Sequence, residues 1–184
     1  MVTTLSEYNN DWYRKEIGAS KLKQVIWYLV NVIFFINPLN PFSGIKVFFL
    51  KLFGARLGTG VVIKPGVNIK YPWKLAIGSR TWIGENVWID NLAQVTIGDN
   101  VCLSQGCMLL TGNHNYTKKT FDLMVTPIAL QDGVWIGARS TVCPGVTACS
   151  HAVLAVASVA TSDLEAFFIY QGNPATKIKE RSIS

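Results

Sequence analysis

The chain has 184 residues, with 17 Lys and Arg against 11 Asp and Glu, for a formal net charge of +6. That length supports one domain with a small appendage, and a composition that is 49% hydrophobic supports a substantial buried core. The basic residues are scattered, with no run interleaved with aromatics and no zinc spacing. This argues against a nucleic-acid module and permits contact with an anionic ligand or an acidic membrane surface.

Residues 1–20 are polar with little period and read as an irregular or extended arm, without the apolar stretch of a cleavable leader. Cys102, Cys107, Cys143 and Cys149 form no CxxC pair, which points to reduced thiols in a cytoplasmic protein. Lys21 to Ile36 reads as a helix. Its apolar part, Val25 to Ile36, is about a dozen residues long, whereas a bilayer span needs roughly twenty. Such a helix packs on the protein or lies at an interface, which allows peripheral contact with the inner face of a membrane. Pro38 and Pro41 stop it, and Gly44 to Phe53 offers a second short helix ending at Gly54. Phe34, Phe35, Phe48 and Phe49 read as a cap over the open end of the repeat region, so residues 1–54 form an arm and a helical cap.

From Val61 the period changes. Inward aliphatics fall at Ile63, Ile69, Ile77, Ile83, Ile89, Ile97, Leu103 and Leu109, then at Leu130, Ile136, Val142, Ala148, Leu154 and Ala160. The steps are six residues, apart from two steps of eight and one long excursion at about 113–128. Extra residues at Tyr71-Pro72 and Asn91-Leu92 fit corner insertions. A six-residue repeat with Gly, Asn, Asp and Ser at its corners indicates an all-β, single-stranded parallel β-helix over residues 55–170. Each coil buries its apolar stripe only by stacking on the next.

The segments KLAIGSR, TWIGEN, VTIGDN, TGNHNY, DGVWIGARSTVCPGVT and YQGNPATKIK resemble the hexapeptide-repeat acyltransferases over about residues 54–180. The N-terminal PF.G...FFLKLFGA pattern, the YPW at Tyr71 to Trp73 and TGNH are most similar to the colanic-acid or exopolysaccharide O-acetyltransferases. Maltose and galactoside O-acetyltransferases resemble it more distantly. The resemblance implies a left-handed helix, a homotrimer with each active site between two subunits, and acetyl-CoA as donor for a sugar hydroxyl. It implies no metal.

His114, five residues after Leu109, is the candidate base. A sugar hydroxyl is barely ionised near neutrality, and an imidazole within reach takes its proton during attack. By itself the residue also suits a plain surface loop. The resemblance places it at the family's catalytic histidine. Glu85, Asp90 and Asp99 are candidate carboxylate partners by chemistry. Asp90 and Asn91 stand at a corner insertion one coil earlier, where the resemblance implies acceptor contacts, as more weakly for Asn86. Turn propensity explains all three equally well. Tyr116, Phe121 and Met124 in the excursion either line a sugar pocket or pack on one another.

On the donor side, Trp135, Gly137, Ala155, Ala157, Ser158 and Thr161 occupy positions matching the family's coenzyme A groove. Lys177 and Lys179, in a basic tail over residues 171–184, are placed to reach its phosphates. One coil departs from the family pattern. ACSHAVLAVAS puts small Ala148 and Ala160 on inward rungs, and places side chains at Ala155 and Val156 where the family's Gly-Ala admits the coenzyme. His151 falls at a corner of this coil and reads as exposed and inert. A γ-type carbonic anhydrase needs three zinc-binding histidines, and the chain has two. Serine, antibiotic or amino-sugar acetyl transfer, and a non-catalytic solenoid, stay open.

Overall fold

Three columns of inward side chains run the length of the solenoid. Leu57, Ile77, Ile97, Leu130 and Ala148 pair in parallel register down the first face. Ile63, Ile83, Leu103, Ile136, Leu154 and Tyr170 do so down the second. Ile69, Ile89, Leu109, Val142 and Ala160 stack on the third. All fourteen aliphatics of the six-residue period are buried. The computed structural model describes residues 2–183; Met1 and Ser184 lie outside it.

Each coil turns three corners. At one corner column Arg80, Asn100, His151 and Phe167 take left-handed φ of 55°, 55°, 62° and 60°; at another Asn86, Arg139 and Ala157 do the same. Coils also approach closely near the corners. A Cβ on Gly137 would stand 2.6 Å from Val156 N, so no side chain fits there.

The open N-terminal end is an edge whose unpaired backbone groups would otherwise face an apolar cap. Two helices cover it, α2 (Lys21–Val30) and α3 (Ser43–Leu52), while α1 (Asp11–Glu16) lies against the corner insertion, where Tyr13 meets Leu92. A π-helical turn, Asn31–Ile36, continues α2. The cap side chains replace the missing coil. Trp27 Nε1 donates to Ile69 O at 2.9 Å, Lys46 Nζ to Lys64 O at 2.8 Å, and Ser43 Oγ accepts from Ile63 N at 2.8 Å. Phe35 is fully buried among them, and Phe34 and Phe49 pack against the core. The arm expected to be irregular instead carries the 3-10 turn Leu5–Glu7 and α1.

The C-terminal end is closed differently. Ala148 and Ala160 are fully buried, with Leu164 bridged to Ala148 and Tyr170 completing the second column. Much of the expected basic tail is an antiparallel strand, Ala175–Glu180, paired with Phe168–Gly172. Among the described residues, no helix is long and apolar enough to cross a membrane.

Candidate active site

The excursion after Leu110 leaves from the corner between the third and first faces. It is a β-hairpin, Gly112–His114 paired antiparallel with Leu123–Val125. Alternation along a strand sends neighbouring side chains to opposite sides. His114 and its partner Leu123 therefore line one cleft, whereas Asn113 and Met124 line a groove on the other side.

The ring of His114 is held by the hairpin's own turn. Its Nδ1 lies 2.9 Å from the backbone oxygen of Phe121, and the two rings stack at 4.4 Å with 5° between planes. A carbonyl only accepts, so Nδ1 carries a proton, and in the neutral ring Nε2 is left with the lone pair. The histidine's anchor is thus a peptide carbonyl and not one of the three carboxylates considered. Phe121 sits at φ 50°, which turns its carbonyl back toward the strand.

The cleft around His114 has a volume of about 670 Å³. Lys70, Tyr71 and Leu92 form its solenoid wall. The opposite wall comes from the arm and α2, through Tyr8, Asn10, Tyr13, Arg14 and Gln24. Tyr8 stands 5.7 Å from the imidazole centre. The arm is tied down at several points: Thr4 N donates to Lys119 O at 3.0 Å, Glu7 pairs with Lys119, and Trp73 Nε1 donates to Ile17 O at 2.6 Å. Tyr13 Oη donates to Leu92 O at 2.8 Å, and burial beside Tyr71 and Asp90 raises its pKa well above the ordinary phenol value. It serves as a fixed donor, not as a base. None of these arm residues carries a repeat or motif, which is why sequence reasoning misses them.

The other expected acceptor contacts scatter. Asp90 is buried at the corner one coil before His114; its Oδ1 lies 3.1 Å from Lys70 Nζ without accepting a hydrogen bond. Asn91 is fully buried, and its Nδ2 donates to Tyr71 O and Lys74 O. It pins the preceding coil's corner insertion and turns no group into the cleft. Asn86 is exposed at the corner between the second and third faces, away from the hairpin's corner. Tyr116 is 78% exposed beyond the hairpin strand.

The donor-side residues fall into three groups. Trp135, Gly137, Ala155, Ala157 and Ser158 lie on the second face and the corner after it. Trp135 Nε1 donates to Ser104 Oγ at 2.9 Å, and Ser158 is buried with its Oγ accepting from Gly172 N. Thr161 instead meets Met124 in the groove behind the hairpin, about 390 Å³ in volume. On the terminal strand, Lys177 pairs with Glu165 at 2.6 Å and lies 3.9 Å over the Phe168 ring, while Lys179 is exposed. His151 stacks on Phe167 at 4.7 Å, and its buried Nδ1 has no partner. Its ring is packed into a corner column, which differs from the exposed histidine the sequence suggested. Among the described residues no cluster of His, Cys, Asp or Glu is arranged to hold a metal ion.

No family model matches the chain. It is 35% identical over 164 residues to the Escherichia coli K12 protein named a colanic acid biosynthesis acetyltransferase, WcaF, spanning 89% of this chain and 90% of that one. It is 30% identical over 129 residues to the galactoside O-acetyltransferase of the same strain, spanning 68% of this chain and 64% of that protein. A galactoside acetyltransferase solved with coenzyme A superposes with a TM-score of 0.77 at 25% identity, over 88% of this chain and 82% of that one. A hexapeptide-repeat acetyltransferase from Vibrio cholerae solved with acetyl coenzyme A gives 0.75 at 22% identity, over 94% and 89%. The chain belongs to the hexapeptide-repeat acetyltransferases, built on a left-handed parallel β-helix. The match to the colanic acid relative is longer than the solenoid, so it includes much of the helical cap.

Proposed function

We propose that this enzyme transfers acetyl from acetyl-CoA to a hydroxyl of a sugar destined for an extracellular polysaccharide, with His114 as general base. The observation that carries this reading is the carbonyl-anchored imidazole, which presents Nε2 as a proton acceptor in a polar cleft. Acetyl-CoA brings the acyl group already activated as a thioester. As the acceptor oxygen attacks the acyl carbon, its proton passes to Nε2. The imidazolium then returns that proton to the departing thiolate sulfur, so one C–O bond forms and one C–S bond breaks. Such base assistance is typically worth about 10²–10⁴-fold. The ledge from Trp135 to Ser158 suits a pantetheine arm, because Gly137, Ala138, Ala155 and Ala157 beside it are small. Lys179, exposed and outside the Lys177–Glu165 pair, is placed to meet phosphates.

The active assembly is a homotrimer. The small-residue ledge leaves one corner of the solenoid and His114 leaves another, which favours a donor ledge and a base supplied by different subunits. The helical cap rests on the inner face of the membrane. It exposes Leu22, Val25, Leu29, Ile33, Leu39, Phe42 and Phe48, and all 11 Asp and Glu residues fall outside residues 17–84. An apolar face within a cationic surround matches anionic lipid.

The decisive experiment is thiol release from acetyl-CoA with a panel of sugars, run beside His114→Ala. Sugar-dependent release lost in the variant is the expected result; unchanged turnover removes the base. Sedimentation velocity reads the trimer. Co-sedimentation with vesicles containing phosphatidylglycerol reads the membrane contact, which Leu29→Ser with Phe42→Ser should abolish.

A further inference from the structure

A second hollow, about 340 Å³, opens between α2 and the third face, and it runs into the His114 cleft: Gln24, Lys70 and Tyr71 line both. Its walls are partly aromatic. Tyr28 is 65% and Trp88 41% exposed there, presenting ring surface to the hollow. At the junction sits Asp90. Its residue is 8% exposed, and its Oδ1 accepts no hydrogen bond although Lys70 Nζ is 3.1 Å away as an ion partner. Lys70 compensates this charge, and the carboxylate is the acidic group on the hollow's lining.

From this juxtaposition we infer that the hollow is a second sugar subsite, holding the ring next to the one acetylated, so that the acceptor is an oligosaccharide. The inference rests on the reading of His114 as the base that marks the acetylated ring. The chemistry selects this occupant over others. A pyranose offers an apolar C–H face for Tyr28 and Trp88 and hydroxyl donors for Asp90, the pairing of apolar wall and few polar anchors that binding hollows use. A prenyl chain brings no donor to Asp90. A phosphate brings a second negative charge beside it. Lys70, between the two hollows, donates to hydroxyls on either ring.

The test is calorimetric titration of His114→Ala protein with maltose, lactose and cellobiose, each against its methyl monoglycosides, with farnesyl phosphate as a lipid arm. At least one disaccharide should bind about tenfold more tightly than its monoglycosides, and Tyr28→Ala or Asp90→Asn should remove most of that advantage. Tyr28 is exposed, so its truncation keeps the test valid if Asp90→Asn folds poorly. No disaccharide advantage, an advantage indifferent to Tyr28→Ala, or binding of farnesyl phosphate alone would overturn the subsite. The titration is independent of turnover. Full thiol release by His114→Ala would sink the base while leaving the titration result standing.

Discussion

Phe121 holds His114 twice, once through its peptide oxygen at Nδ1 and once through its ring, although seven residues separate them. Removing the ring leaves the carbonyl but frees the imidazole to tilt. Phe121→Ala should lower kcat by up to about 10²-fold, the scale of a misplaced catalytic group, with KM for acetyl-CoA nearly constant. His114→Ala should cost about 10²–10⁴-fold in kcat with an unchanged melting temperature. Steady-state kinetics beside circular dichroism would read both; a Phe121 variant at full rate would show that the stack does no positioning.

Residues 2–9 bring Tyr8 to the cleft wall and are tethered to Lys119 by an exposed ion pair and a backbone hydrogen bond. Deletion of residues 2–9 removes Tyr8 together with the tether from Thr4 and Glu7 to Lys119. Exposed pairs contribute about 0–1 kcal/mol, so the truncated chain should melt within a few degrees of the full one. Its KM for the acceptor should rise about tenfold or more. An unaltered acceptor KM would place the arm outside the site.

Trp27 tests whether the cap replaces a coil. Trp27→Phe keeps the packing of a large ring but leaves Ile69 O buried without its donor. The expected loss is about 1–3 kcal/mol, read as a lower urea midpoint. A shift indistinguishable from zero would mean that solvent reaches that carbonyl.

Two glycines should respond in opposite directions. Gly137→Ala drives a methyl against the backbone of the next coil and should destabilise by about 1–3 kcal/mol. Gly44, in α3, has nothing within 4 Å of an added Cβ, and Gly44→Ala should stabilise by up to about 1 kcal/mol. Equal effects at the two sites would contradict the close coil approach.

Burial pushes the Cys107 thiol up to about 12 and raises those of Cys102 and Cys143. A raised thiol pKa leaves less thiolate at any given pH. At pH 8 the native protein should therefore resist iodoacetamide at Cys107, which the unfolded chain should not, as mass spectrometry of digests would record. The same chemistry argues against a cysteine acyl-enzyme: acetyl-CoA alone should leave no acetylated peptide.

The solenoid was legible because its signal is strictly local. Each inward aliphatic predicts its neighbour six residues on, and Ile63 to Ala160 all proved buried. His114 was legible because it interrupts that rhythm and sits in a family motif. Its anchor was not, since every residue has a carbonyl and only the hairpin's turn decides which one returns to the ring. The arm's share of the cleft was hidden for a related reason. Tyr8 and Arg14 are brought to His114 by docking across about a hundred residues of chain, and no period in residues 2–20 encodes that. Asn91 misled because a turn former and a ligand contact favour the same residue type; its burial separates the two.

Ile97 pairs with Leu130 in the same parallel register that Ile77 keeps with Ile97, although the hairpin intervenes. The stack therefore transmits nothing of the hairpin's length or composition to the coils above and below. Residues 112–126 are accordingly a cassette: exchanged for the corresponding hairpin of a relative, they would carry a new acceptor preference onto this column without a new folding problem.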